Sequence, residues 1–179
     1  MLLPIESEKL KTKKSSLSWV IVIVILFGTP EFWSQIHAAE QLNNSHLKVL
    51  LQRIHEKTGM QIPKTNESGF PQVVFVTQQF ISGMVCKKNS CNAQAAAKDN
   101  IIFLVNGLDV TTIEGESILY HELIHILQFY NFGATSTCDS WVQREIEAYQ
   151  LQDEFVTDKG YDMPWLRSVT HYLSQMCPK

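Results

Sequence analysis

The chain has 179 residues, 45% of them hydrophobic and 18% charged, with a formal net charge of −3. This length suits a single domain with a modest core, and no repeat or low-complexity tract interrupts it. The mild acidity argues against nucleic-acid binding, which calls for a clustered basic patch.

The N-terminus reads as a targeting segment. Lys9, Lys11, Lys13 and Lys14 precede the apolar run from Trp19 to Phe27, which is too short to span a bilayer comfortably. Gly28, Thr29 and Pro30 break it, and Ala38-Ala39 offers small residues for cleavage after either one. The expected division is a signal peptide over 1–39 and one domain over 40–179. An uncleaved anchor is the alternative, because the stretch after Gly28 is long and His37 is bulky for a position near the cut. Cleavage after Ala39 would remove four lysines and three glutamates, leaving 11 basic and 15 acidic residues. The expected location is then secreted or periplasmic, with no stable membrane association.

Residues 41–58 place Leu42, Leu47, Leu50, Leu51 and Ile54 at amphipathic helical spacing, and Gly59 ends the pattern. His46 and His55 fall in this helix and are expected to face solvent. A polar link follows. Val73-Val74-Phe75-Val76 and residues 101–105 read as buried strands, the second closed by the Asn106-Gly107 turn signal. Residues 86–99 are expected to form a disulfide-pinned loop, with a short strand near 81–85.

His121-Glu122-Leu123-Ile124-His125 is the most informative segment. On a helix, residues four apart lie one turn apart on the same side, so the two imidazoles can converge on one metal ion. Glu122 then stands beside the metal, free to take a proton from metal-bound water. Ile118, Leu119, Leu123, Ile126 and Leu127 supply a buried stripe, Glu114 and Glu116 suit the helix N-terminus, and Gly133 is a stop signal. Residues 140–155 read as a second helix with Ser140 or Asp139 as N-cap, and residues 164–176 as a last helix with Pro164 in its first turn.

A catalytic zinc usually takes three protein ligands and leaves one position for water. Two glutamates of the second helix compete for the third place, Glu145 and Glu147. They are about 200° apart around the axis, so only one can face the histidines. The four cysteines, Cys86, Cys91, Cys138 and Cys177, suit an oxidising compartment and allow three pairings. Proximity in sequence favours Cys86–Cys91, and exclusion then leaves Cys138–Cys177.

This arrangement resembles the gluzincins, zinc metallopeptidases in which a glutamate from a following helix completes the site, often within an E-x-x-A-D segment. Glu145-Ile146-Glu147-Ala148-Tyr149 fits that frame with Glu145 as the ligand and Tyr149 where the family places an aspartate supporting the first histidine. Support of His121 by a phenol would depart from the family. Residues 73–155, with Cys86, Cys91, the Ser-Ile-Leu-x-His-Glu helix and Cys138, resemble a group of small secreted gluzincin-like proteins. The resemblance implies an α+β, zincin-like fold: a small sheet packed on the HExxH helix and on the glutamate-bearing helix. The strand over 101–105 would be the sheet edge that pairs with extended substrate. It also implies one Zn²⁺ per chain held by His121, His125 and Glu145, with Glu122 as general base in hydrolysis of a peptide or protein. Tyr130, Tyr149, Tyr161 and His171 are open candidates for an oxyanion donor. A catalytically inactive zincin-fold binding protein is the alternative, and the retained Glu122 counts against it.

Overall fold

A computed structural model of the chain describes residues 44–63, 70–86 and 91–177, all within one unit over 42–179. The expected targeting segment and its cleavage site lie outside the described residues. The architecture is α+β. In chain order it comprises α1 (Asn44–Thr58), β1 (Gln72–Val76), α2 (Gln78–Val85), β2 (Ala95–Lys98), β3 (Ile101–Val105), α3 (Ile113–Phe132), α4 (Cys138–Asp158) and α5 (Pro164–Leu173). Among the described residues, no helix is long and apolar enough to cross a membrane.

The three strands run in the order β1-β3-β2. β3 pairs in parallel with β1, matching Val74 to Phe103, and antiparallel with β2, matching Ala96 to Phe103. The strand over 101–105 is therefore central, which corrects the expectation that it forms the edge. Its apolar sequence accords with that place: Ile102 and Leu104 are buried and point into the core, and both its polar edges are paired. The edge beside α3 is β2. Ala95-Ala96-Ala97 has little intrinsic strand preference, and the pairing with β3 supplies the order. A two-residue turn at Asp99-Asn100 joins them, with Asp99 at a φ of 56°.

A second correction concerns 81–85, which is helical. Thr77 caps α2, its side chain accepting from Phe80 N, and Ile81 is fully buried. Phe80, Ile81 and Met84 recur at three- to four-residue spacing, a helical period rather than the alternation of a strand.

The core forms where Leu47, Leu50, Leu51 and Ile54 of α1 meet Ile102 and Leu104 of β3 and the apolar side of α3. Ala148, Phe155 and Val156 of α4 and Leu166 of α5 close it. α3 is covered on more than the single stripe its spacing suggests: Leu119, Tyr120, Leu123, Ile124, Ile126 and Leu127 are all buried. Thr112 caps its start by accepting from Gly115 N, and Gly133, at a φ of 71°, ends it. α4 begins earlier than expected, with Thr137 rather than Ser140 or Asp139 at the N-cap. Ser140 instead sits three residues on, its N–H donating to Thr137 Oγ1 and its Oγ accepting from the Thr137 N–H, a reciprocal capping box. Disulfides join Cys86 to Cys91 and Cys138 to Cys177, with Cα separations of 6.1 and 5.8 Å. The second ties the first residue of α4 to the chain beyond α5.

Candidate metal centre

One face of α3 carries Glu114, Ser117, His121, His125 and Gln128, spaced three or four apart, and one face of α4 carries Glu145, Tyr149 and Gln152. The packing of α3 on α4 brings the two faces together. His121 Nε2 and His125 Nε2 lie 3.0 Å apart. The Glu145 carboxylate meets both, Oε2 at 3.6 Å from His121 Nε2 and Oε1 at 3.4 Å from His125 Nε2. These three side chains form a group able to hold a metal ion. Zinc at about 2.0–2.1 Å from nitrogen or oxygen in a tetrahedral site needs donors roughly 3.3 Å apart. The observed separations bracket that value, so the donor set fits zinc in size and in chemistry.

The hydrogen bonds behind the imidazoles decide which nitrogen faces the centre. Gln128 Nε2 donates to the Arg144 carbonyl at 3.0 Å and to Glu147 Oε2 at 2.9 Å, both pure acceptors. Its carbonyl oxygen must therefore point at His125, where it lies 2.8 Å from Nδ1 and can only accept. On the other side, Ser117 Oγ donates to the Glu114 carbonyl and accepts from Gln152 Nε2. The Gln152 carbonyl oxygen then accepts from His121 Nδ1 at 3.0 Å. Both imidazoles are thus held with a hydrogen on Nδ1, which leaves the two Nε2 lone pairs facing each other. Such a pair is stabilised by a cation between them, a proton or a metal ion. Gln128 and Gln152 are each only 1% exposed, so neither bond competes with water.

Glu147 does not join the histidines; it acts on Gln128. Tyr149 does not hydrogen-bond His121 among the described contacts. Its ring packs against that imidazole, centroids 4.4 Å apart, while Gln152 takes the supporting position. The sequence reading missed both glutamines. Register held the signal for each: Gln152 falls seven residues after Glu145 on the same face, and Gln128 three after His125.

Glu122 is 92% removed from solvent beside the two histidines, and the Ala97 backbone of β2 hydrogen-bonds it. Burial raises its pKa, with His121 and His125 opposing. For Glu145, burial works in the same upward direction but the two imidazoles prevail and hold it at about 2. Desolvation lowers the pKa of His125, yet the Glu145 carboxylate carries it up to about 9. Burial, then the charges of Glu145 and Glu122, push the Tyr149 hydroxyl up to about 12.

Two cavities of about 400 and about 470 Å³ open on either side, and His121, Glu122 and Tyr149 line both. Of the other oxyanion candidates, Tyr130 and Tyr161 are about half exposed, and His171 lies exposed against Gln175. None of the three lines either cavity. His46 and His55 are also elsewhere, against Glu116 and the Met60 carbonyl.

The fold and site together define an α+β protein with a two-histidine, one-carboxylate centre in the joint between two helices. Residues 40–179 match the family described as a domain of unknown function, DUF6647, and the chain belongs to it. No curated protein and no solved structure matches the chain.

Proposed function

We propose that this chain is an exported, zinc-dependent metallopeptidase of gluzincin type with a zincin-like fold. The observation that carries the reading is the convergence of His121 Nε2, His125 Nε2 and Glu145 at tetrahedral spacing, with a buried carboxylate that is not a ligand, Glu122, beside them. A site that only stores metal has no use for that carboxylate. The two disulfides suit an oxidising compartment, and so support export.

Zinc held by His121, His125 and Glu145 would supply Lewis acidity and a water of lowered pKa. Glu122 takes the proton of the attacking water and returns it to the departing amine. Its raised pKa brings it nearer the range in which a carboxylate can do both. Among the oxyanion candidates Tyr149 borders both cavities and burial favours its protonated form, which supports giving its hydroxyl the role of donor to the scissile carbonyl oxygen. β2 is an edge strand packed against α3, so an extended peptide can add to it by main-chain hydrogen bonds and pass over Glu122. The expected substrate is accordingly a peptide, or an extended loop of a protein.

The test pairs metal content with cleavage of a mixed peptide library by the purified protein. The expected result is about one zinc per chain, with hydrolysis that Glu122→Gln abolishes while zinc and fold persist. Loss of the base costs about 10²–10⁴-fold or more in rate. Stoichiometric zinc with no cleavage of any peptide would favour a binding protein instead, and a well-folded chain with no affinity for zinc would end both readings.

A further inference from the structure

We infer that the cavity of about 400 Å³ beside His121 and Glu122 is a subsite for a cationic group, seated between the Tyr149 and Trp165 rings and the Glu114 carboxylate. That this cation belongs to a peptide substrate rests on the metallopeptidase reading; that the cavity holds a cation does not.

Three independent features point to positive charge. The first is the aromatic corner. Trp165 and Tyr149 both line the cavity and meet edge to face, 79° between planes and 6.4 Å between centroids. An edge-to-face pair occupies one π-face with the edge of the other ring, and Tyr149 already packs on His121, so the aromatic surface open to an ammonium or guanidinium group is chiefly that of the exposed Trp165. Trp165 is 45% exposed although it is the largest apolar side chain at the cavity, and its place follows from Pro164, which starts α5 where that helix packs on α4.

The second feature is charge. Glu114 and Glu122 line the cavity and no lysine or arginine does. Glu114 makes no ion pair among the described residues, whereas Glu116, two positions on, binds both Lys159 and His46. Placement in the first turn of α3 accounts for an acidic residue at 114, but not for one that lines a cavity together with His121 and Glu122. Asn92, Gln94 and Gln152 add neutral polar groups to the same wall.

The third is a difference between the two cavities. The one on the other side of Tyr149 also has carboxylates in its wall, Glu122 and Glu145, but Glu145 is turned to the two histidines and Arg144 adds a positive charge, beside the half-exposed apolar side chains of Val85, Phe129 and Trp141. The cavity at Trp165 has its carboxylates without a lysine or arginine, so a peptide lying along β2 would meet the less compensated negative charge on that side.

Binding can be read apart from catalysis in the zinc-loaded Glu122→Gln protein, where Glu114 is the carboxylate left in the cavity. Short peptides in which one lysine is walked through a neutral sequence, each with a glutamine control, are titrated by calorimetry. At one position lysine should bind about tenfold tighter than glutamine, as an aromatic corner plus a partly screened carboxylate allows. Adding Glu114→Gln should bring the ratio close to one, and Trp165→Leu should lower it severalfold, with zinc content unchanged in both. N-acetylated versions separate the sources of the cation: a preference that survives acetylation assigns a side chain, and one lost with it assigns a peptide amino terminus. Equal binding of lysine and glutamine peptides, or a preference indifferent to both substitutions, would overturn the subsite. Selective binding of cationic peptides by a wild-type chain that cleaves none would keep the subsite and remove the peptidase reading. Cleavage without cation preference would do the reverse.

Discussion

Gln152 accepts the His121 Nδ1–H at 3.0 Å across a separation of 31 residues, and spends its own N–H on Ser117. The bond fixes both the tautomer and the rotation of a buried ligand, and the amide is 1% exposed, so no water can replace it. Gln152→Leu, which keeps the volume and removes the carbonyl, should weaken zinc binding about 10–100-fold. Gln152→Glu keeps an acceptor toward His121 and should bind zinc close to wild type. Competition with a chromophoric chelator measures both. Equal affinity in the leucine variant would show that Gln152 does not orient His121.

The two glutamates of α4 separate cleanly by position. Glu145 lies 3.4–3.6 Å from the histidine nitrogens, while Glu147 reaches the centre only through Gln128 and His125. Glu145→Ala should lose stoichiometric zinc. Glu147→Ala should keep one zinc per chain at an affinity reduced by about tenfold, the lower end of an outer-shell loss. Metal analysis after dialysis decides it, and loss of zinc from Glu147→Ala alone would reverse the assignment of the ligand.

Zinc binding should release a proton. Without metal, the Glu145 carboxylate keeps His125 protonated up to about pH 9, and zinc must displace that proton to reach Nε2. Apparent affinity should therefore rise with pH, by about tenfold per unit for one displaced proton, and level off above the His125 pKa. Calorimetry in buffers of different ionisation enthalpy counts the protons released. A pH-independent affinity between about pH 6 and about pH 8 would rule out the coupling.

Gly115 sits where the chain turning into α3 crosses its own first turn. A Cβ there would lie 2.1 Å from the Asp109 carbonyl oxygen, a backbone atom that Thr112 also holds by two hydrogen bonds. Gly115→Ala should cost about 3 kcal/mol, at the upper end for inserting an atom into a packed site. Thermal unfolding of the metal-free protein checks it, and an unchanged midpoint would mean that the 109–112 turn yields freely.

What the residues alone determined is whatever depends on local periodicity. Helical geometry by itself sets His121 and His125 one turn apart with Glu122 between them, and Gly133 ends the helix because it takes a φ that other residues resist. The helix of residues 44–58 and the strand of residues 101–105 were legible for the same reason, and so was the last helix from Pro164. The cysteine pairing also agrees with the structure, since five residues of separation left one natural partner and the rest followed. The tertiary structure decided the relations that no local pattern encodes. Strand order placed residues 101–105 at the centre of the sheet and made the alanine-rich 95–98 its edge, because cross-strand pairing outweighs the weak propensity of alanine. Packing of α3 on α4 gave His121 a glutamine in place of the expected tyrosine, and gave Glu147 a part at one remove. Buried polar groups must find partners wherever the fold brings them, and those partners are neighbours in space rather than in sequence.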